Sequence, residues 1–248
     1  MLLWFRTWRR KRLVARYERE FGNIYHFHGV EVEVPNSISV DLKNALLKEK
    51  YESEERGFIE DYLPEGIDVI ELGGSIGVVS AFTRSRMVPH ARQVVVEAIP
   101  KLAKICSKNI AKQDKQNRST VIQAAISYCG NDSIRFSQGD NPHVGRIAGH
   151  DEAALDVPVI QLEKICEDHS VKQFVLICDI EGAEIELFSK SEIWKTACPL
   201  IVLETHPGFY DRGVSQQQEL VKLIEDAGFN QLGETRGVYA FSRQLPPL

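Results

Sequence analysis

From residue 67 onward, short apolar runs alternate with amphipathic stretches of helical length. The runs occupy residues 67–72, 93–97, 120–126, 174–178, 200–203 and 238–241, and the amphipathic stretches residues 78–86, 101–112, 162–168, 183–190 and 216–227. Runs without polar alternation read as strands buried on both faces, with the helices between them as crossovers. The pattern predicts an α/β domain whose mostly parallel sheet is covered by helices on both faces. Pro64 and Gly66 punctuate the entry to the first strand.

The first fifty residues follow a different rhythm. Residues 2–21 predict a helix with Leu13, Val14, Tyr17 and Phe21 on one face. Val30, Val32 and Val34 alternate with polar residues, as in a half-buried strand ended by Pro35-Asn36, and the charged segment 43–56 predicts a helix. The expected division is an N-terminal extension, residues 1–50, and a catalytic-type domain, residues 51–248. A polar stretch, residues 127–157, interrupts the later rhythm with Gly130-Asn131-Asp132, Gly139-Asp140-Asn141-Pro142 and Gly145. Ile134 and Phe136 mark a short strand inside it and residues 157–160 another, while the tail from Leu245 to Leu248 is expected to fray.

Composition narrows the class. The chain has 248 residues, 43% hydrophobic and 26% charged, which suits one large globular domain. No apolar run reaches the roughly 18 residues a membrane span needs. Five cysteines without a C-x-x-C pair argue against a disulfide framework or a zinc site and suggest a reduced, cytoplasmic setting. The net charge of −5 disfavours a nucleic-acid partner. Residues 1–22 nevertheless carry seven cationic side chains against two acids, a net of +5, leaving −10 on the rest of the chain. Their order, apolar residues first and charge afterwards, is the reverse of an export signal, so none is expected. Trp4, Trp8 and the Arg/Lys cluster leave two readings for this helix. It packs on the core or on a partner with its arginines solvated, the favoured reading, or it lies on a membrane surface.

The strongest chemical signal is Val69-Ile70-Glu71-Leu72-Gly73-Gly74-Ser75-Ile76-Gly77, an apolar strand running through a glycine-rich turn into a helix. Such a turn lets a ligand approach the backbone, and a new helix offers free N–H groups. Leu72 stands where a dinucleotide fingerprint needs its first glycine, which disfavours an oxidoreductase, and no Gly-Lys-Ser/Thr makes a phosphate loop. What fits is acidic-x-Gly-x-x-x-Gly on Glu71, Gly73 and Gly77. Val94-Val95-Val96-Glu97 follows, a second strand ending in an acid twenty residues past Gly77, placed to accept ribose hydroxyls. Residues 175–178 form a buried strand that delivers Asp179-Ile180-Glu181-Gly182-Ala183-Glu184 at its C-terminal end, the edge where open α/β sheets bind ligands.

The acid–glycine turn resembles motif I of the class I S-adenosylmethionine-dependent methyltransferases. Asp-Ile-Glu-Gly-Ala-Glu after an apolar strand resembles the signature of the FkbM-type family among them, as do Glu204-Thr205-His206-Pro207 at the next strand end and Ala124-Ala125-Ile126-Ser127 before the insertion. The resemblance covers roughly residues 51–241. It departs at Ser75, where the family usually shows asparagine, and at Glu71, where aspartate is commoner.

The resemblance implies a Rossmann-like, seven-stranded sheet with its last strand antiparallel, S-adenosylmethionine as cofactor, and methyl transfer to the oxygen of a sugar, glycan or natural product. Gly73, Gly74, Ser75 and Gly77 would cradle the methionine part. Glu71 would orient the loop or meet the cofactor amino group through water. Glu97 would hold the ribose, Gln123 and Ala124 would flank the adenine, and Ala98 and Asp179 would also contact the cofactor. His206 is the first candidate for a base, since neutral imidazole suits that task near pH 7. Asp179 and Glu181 would assist it, bind substrate, or join Glu204 around a divalent cation such as magnesium. Glu184 and Glu186 read as an exposed helix face, His143 and His150 as solvated loop histidines, and Cys178 as a small buried apolar residue.

Asp179-Ile180-Glu181-Gly182 is not the Asn/Asp-Pro-Pro-aromatic motif of nucleobase amine methyltransferases, which disfavours that class. The remaining alternative is a non-catalytic module with the cofactor fold that docks to a membrane or a protein partner through its basic N-terminal helix.

Overall fold

The structure is a computed structural model that describes residues 2–137, 146–147 and 154–244. Gly139, Asp140, Asn141, Pro142, His143, Gly145, His150 and the tail from Leu245 therefore lie outside the described residues.

The elements are α1 (Leu2–Phe21), β1 (Ile24–Phe27), β2 (Val30–Glu33), α2 (Val40–Leu46), α3 (Ser53–Tyr62), β3 (Asp68–Leu72), α4 (Val78–Arg86), β4 (Gln93–Glu97), α5 (Pro100–Ala111), β5 (Ser119–Gln123), β6 (Ala125–Ile126), β7 (Ser133–Ser137), β8 (Arg146–Ile147), β9 (Ala154–Ile160), α6 (Leu162–Asp168), β10 (Phe174–Cys178), α7 (Glu184–Lys190), α8 (Ile193–Ala197), β11 (Leu200–Glu204), a 3-10 turn (Pro207–Phe209), α9 (Val214–Asp226), β12 (Asn230–Thr235) and β13 (Val238–Ser242).

Seven strands form the main sheet in the order β12-β13-β11-β10-β3-β4-β5. β11, β10, β3, β4 and β5 are parallel, and β13 enters antiparallel to both of its neighbours. The central strand β10 is buried at every residue, as a strand covered on both faces requires. Its side chains alternate between two apolar clusters. Val175 and Ile177 join Val69, Ile76 and Phe82 on one face; Phe174, Leu176 and Cys178 join Ile70, Leu72 and Trp194 on the other. Burying each large side chain of this kind stabilises the fold by about 1.5–3 kcal/mol.

The segment expected to run as one strand from 120 to 126 breaks at Ala124, where the chain leaves the main sheet. β6 pairs instead with β9 in a second, four-stranded sheet of order β6-β9-β7-β8. Both strands expected in the polar stretch are present in it, as β7 and β9. The charged segment 43–56 is two helices rather than one, because Glu49 and Glu52 take left-handed φ values of 52° and 41° and turn the chain between them.

β1 is an element the alternation did not foretell. It pairs antiparallel with β2, and Tyr25, Phe27, Val30, Val32 and Val34 pack in the same apolar cluster as Val69 and Val175. Asn109 of α5, fully buried, stitches this hairpin to the glycine turn. Its Nδ2 donates to the carbonyls of Glu33 and Ile76, and its Oδ1 accepts from the Glu33 N–H at 2.7 Å. Helix α1 buries Val14 and packs Tyr17 against the core, while Trp8, Leu13 and Phe21 stay exposed, so the expected apolar face is divided.

Candidate active site

The cleft lies at the C-terminal edge of the parallel strands, walled by Gly73, Ser75, Glu97, Ala98, Ala124, Phe136, Asp179 and Glu181 among others. Strand order explains its position. β3, β4 and β10 are neighbours, and the turns after them carry the glycines, Glu97 and the Asp179 loop. The second sheet adds Ile126 and Phe136 as an apolar flank beside Ala124.

The glycines are demanded by the protein as much as by a ligand. Gly73 has a φ of +94°, and a Cβ there would lie 1.7 Å from the Asp179 carbonyl oxygen. A Cβ on Gly74 would lie 2.4 Å from Val95 Cγ1, and one on Gly77 2.8 Å from the Cα of Cys106 in α5. Only Gly73 of the three lines the cleft. The amides of the turn, expected to be free, are engaged. Gly73 and Gly74 donate to the Val96 carbonyl at 2.9 and 3.1 Å, and Gly77 donates to Gly74. Ser75 takes φ +46°, a conformation asparagine tolerates better than serine, and its N–H donates to Glu97 Oε2 at 2.7 Å.

Glu97 accepts a second backbone hydrogen bond, from Ile99 to Oε1, also at 2.7 Å. Burial pushes its carboxyl up to about 7 against the opposing effect of these two donors. Glu71 stands behind the turn rather than in the cleft. It accepts from Ser80 Oγ at 2.6 Å and from Gln93 Nε2, and burial raises it to about 7. Its position fits orienting the loop and not direct contact with a cofactor. Gln123 is likewise off the cleft wall, its Nε2 donating to the Ala98 carbonyl at 2.8 Å, whereas Ala124 reaches the wall.

The opposite wall is built of acids. Glu181 sits at φ +50° and Gly182 at +106°, a double left-handed turn that presents Asp179 and Glu181 together. His206, after β11, faces them: its Nε2 lies 3.4 Å from Asp179 Oδ1, 3.4 Å from Glu181 Oε2 and 3.8 Å from Glu204 Oε1. On its other side Nδ1 lies 2.7 Å from Glu184 Oε1. Glu184 is fully buried, contrary to the exposed face expected of it, and it also accepts from the Gly182 N–H. Glu186 is half-buried and accepts from Ser127 Oγ. Burial opposes protonation of His206, but Glu184, Glu181 and Glu204 together outweigh it and raise the imidazole above its ordinary value. Burial first, then the charges of Glu204, Glu52 and Glu181, pushes Asp179 well above the carboxylate range. His206 itself is not part of the cleft wall; it contacts the two carboxylates that are.

Sequence reasoning missed Tyr51, Glu52 and Glu55. They reach this wall from the start of α3, with Glu52 and Glu55 beside Glu204 and the Tyr51 hydroxyl bonded to the Ser75 side chain. Their spacing, an acid at the helix N-cap and another at the third residue, resembles ordinary helix capping and so gave no chemical signal.

The site fits S-adenosylmethionine: a close-packed glycine turn, a strand-end carboxylate for the ribose, an apolar flank for the adenine, and a buried Asp179 Oδ1 with no hydrogen-bond partner at the far wall.

Comparison with known proteins agrees. The model of the "Methyltransferase FkbM domain" matches residues 71–230, more than half of the chain. No curated protein matches the chain significantly. Among solved structures, a Streptococcus agalactiae protein of the NADB-Rossmann superfamily is 10% identical over 79% of this chain and 70% of its own, with a TM-score of 0.46. A precorrin-6y C5,15-methyltransferase from Geobacter metallireducens is 11% identical over 80% and 89%, with a TM-score of 0.42. A SAM-dependent methyltransferase from Aquifex aeolicus is 12% identical over 75% and 85%, with a TM-score of 0.40. Assignment therefore rests on the family match and on the site it spans: the chain belongs to the FkbM methyltransferase family, with S-adenosylmethionine as its cofactor.

Proposed function

We propose that the protein is an O-methyltransferase acting on a hydroxyl of a sugar, glycan or natural product. The observation that carries this reading is the carboxylate pair Asp179 and Glu181 on the cleft wall, backed by a histidine that Glu184 orients at 2.7 Å. When bound, S-adenosylmethionine supplies an activated methyl group. What the chain must add is alignment of the acceptor and a destination for one proton. A hydroxyl entering beside Asp179 and Glu181 meets acceptors for its hydrogen bond, and its proton passes to the cluster these residues form with His206. The Nδ1 contact with Glu184 leaves Nε2 as the exchanging atom. An amine acceptor would gain less from a wall of acids, because it enters already protonated and is held there in its unreactive form. The test is methyl transfer from labelled S-adenosylmethionine to a panel of sugars, glycans and phenols beside matched amines. Label on hydroxyls alone is expected; label on amines alone would refute the reading.

A second reading concerns the N-terminus. No helix among the described residues is long and apolar enough to cross a membrane. Trp8, Leu13 and Phe21 are nonetheless 41–49% exposed on the basic helix α1. This favours peripheral contact with an anionic membrane surface. Flotation with anionic vesicles should be lost on removing residues 1–22; equal flotation of both forms would end the idea.

A further inference from the structure

A second group of acids lies next to the wall just described. Glu52 is the N-cap residue of α3, Glu55 lies in its first turn, and Glu204 ends β11; one oxygen from each lies within 4.8 Å of the others. Glu55 is the decisive member. It is 4% exposed, and its carboxylate meets only the Glu204 carboxyl and its own backbone N–H, with no donor from any other side chain. A charged group stripped of water and donors costs several kcal/mol unless an opposite charge answers it. Among the described residues no lysine or arginine pairs with these three acids. Arg56 is engaged by Glu60, Arg236 by Glu54, and His206 reaches only Glu204, at 3.8 Å. Glu52, at the N-cap position, makes no side-chain cap hydrogen bond to the helix it begins.

We propose that Glu52, Glu55 and Glu204 bind a divalent cation of the hard, oxygen-preferring class, such as magnesium, calcium or manganese. Three carboxylates and no nitrogen or sulfur match that class. Three protein ligands leave positions for water or for acceptor hydroxyls. This centre is distinct from the Asp179, Glu181 and His206 group, which contains an imidazole; Glu204 stands between the two. Its structural consequence is to clamp the start of α3 to the end of β11, beside Tyr51 and its bond to Ser75. The proposal does not depend on which acceptor is methylated.

The test uses the full chain treated with chelator and then titrated with magnesium, calcium and manganese by calorimetry, with terbium luminescence sensitised through Tyr51 as a second readout. The expected result is one cation per chain and a raised melting temperature. Glu55→Gln should weaken binding about tenfold or more, and Asp179→Asn should retain it. Glu55→Gln removes a buried charge, so its cation-free form should be at least as stable as the parent; should it fail to fold, Glu52→Gln at the half-buried edge carries the same binding expectation. Unchanged affinity in both glutamine variants would overturn the proposal. So would loss of binding in Asp179→Asn alone, which would assign the ion to the His206 group. Absence of binding at millimolar concentration would mean that the acids are satisfied by shared protons.

Discussion

The two walls of the cleft handle buried acids in opposite ways. Glu97, at the end of β4, receives a backbone N–H on each oxygen at 2.7 Å. Asp179, just past the end of β10, has an Oδ1 with no hydrogen-bond partner and faces Glu181, Glu204 and His206. The first wall is satisfied before any ligand arrives, because its donors are backbone amides of the glycine turn and of the start of α5. The second gathers several acids around the one imidazole of His206, so acids outnumber the group that can answer them until a proton, a cation or a substrate enters. A preorganised wall suits a cofactor that is always the same molecule; an unanswered one suits the step in which charge moves.

The largest effect should come from Gly73, where the two walls touch. Gly73→Val places a side chain into the Asp179 carbonyl at a left-handed φ, and the expected loss is on the order of 4 kcal/mol, with cofactor binding abolished. An unchanged denaturation midpoint would break the account of the turn. His206→Ala should slow methyl transfer about 100-fold while cofactor affinity by calorimetry stays the same; a fully active variant would remove the histidine from the proton path. Glu97→Gln should do the converse, weakening cofactor affinity about tenfold, near 1.4 kcal/mol, with the rate at saturating cofactor little changed. If both variants changed the same parameter, the division between the walls would be wrong.

A smaller effect is the pH dependence of the cofactor-free, chelator-treated fold. Glu71 and Glu97 are each pushed by burial to about 7, above the value near 4.5 of the unfolded chain. Between these values the folded chain holds more protons, so stability is greatest below about 4.5 and falls as pH climbs through 7. His206, also raised, acts in the same direction. The melting temperature should therefore be lower at pH 8 than at pH 5, and Glu71→Gln should flatten the slope; a rise with pH would contradict it. Smallest of all is Ser75→Asn. It relieves a left-handed serine and keeps a polar partner for Tyr51, so stability should shift by less than about 1 kcal/mol. A large loss would show that the serine, not the family's usual asparagine, is required by this site.

The sheet was readable because a strand buried on two faces must be apolar throughout, as β10 is from Phe174 to Cys178. The turn was readable because glycine is the residue that tolerates both φ +94° and a carbonyl where its Cβ would be. Glu97 and Asp179 were placed by their position after such strands. β1 and β12 were not legible: β1 is too short to show a period, and β12 is exposed or half-buried along its whole length.

What the amino-acid sequence alone determined is local: which segments are strands, where the chain must turn, and which acids end up at one edge of the sheet. Glu184 looked like a solvated helix acid and is fully buried against His206, 22 residues away, and Glu55 looked like a helix-start acid and meets Glu204 at the end of β11. Only the tertiary structure decided these, because burial and charge–charge contact depend on which elements the fold stacks together, and no periodicity along the chain encodes a neighbour 150 residues distant.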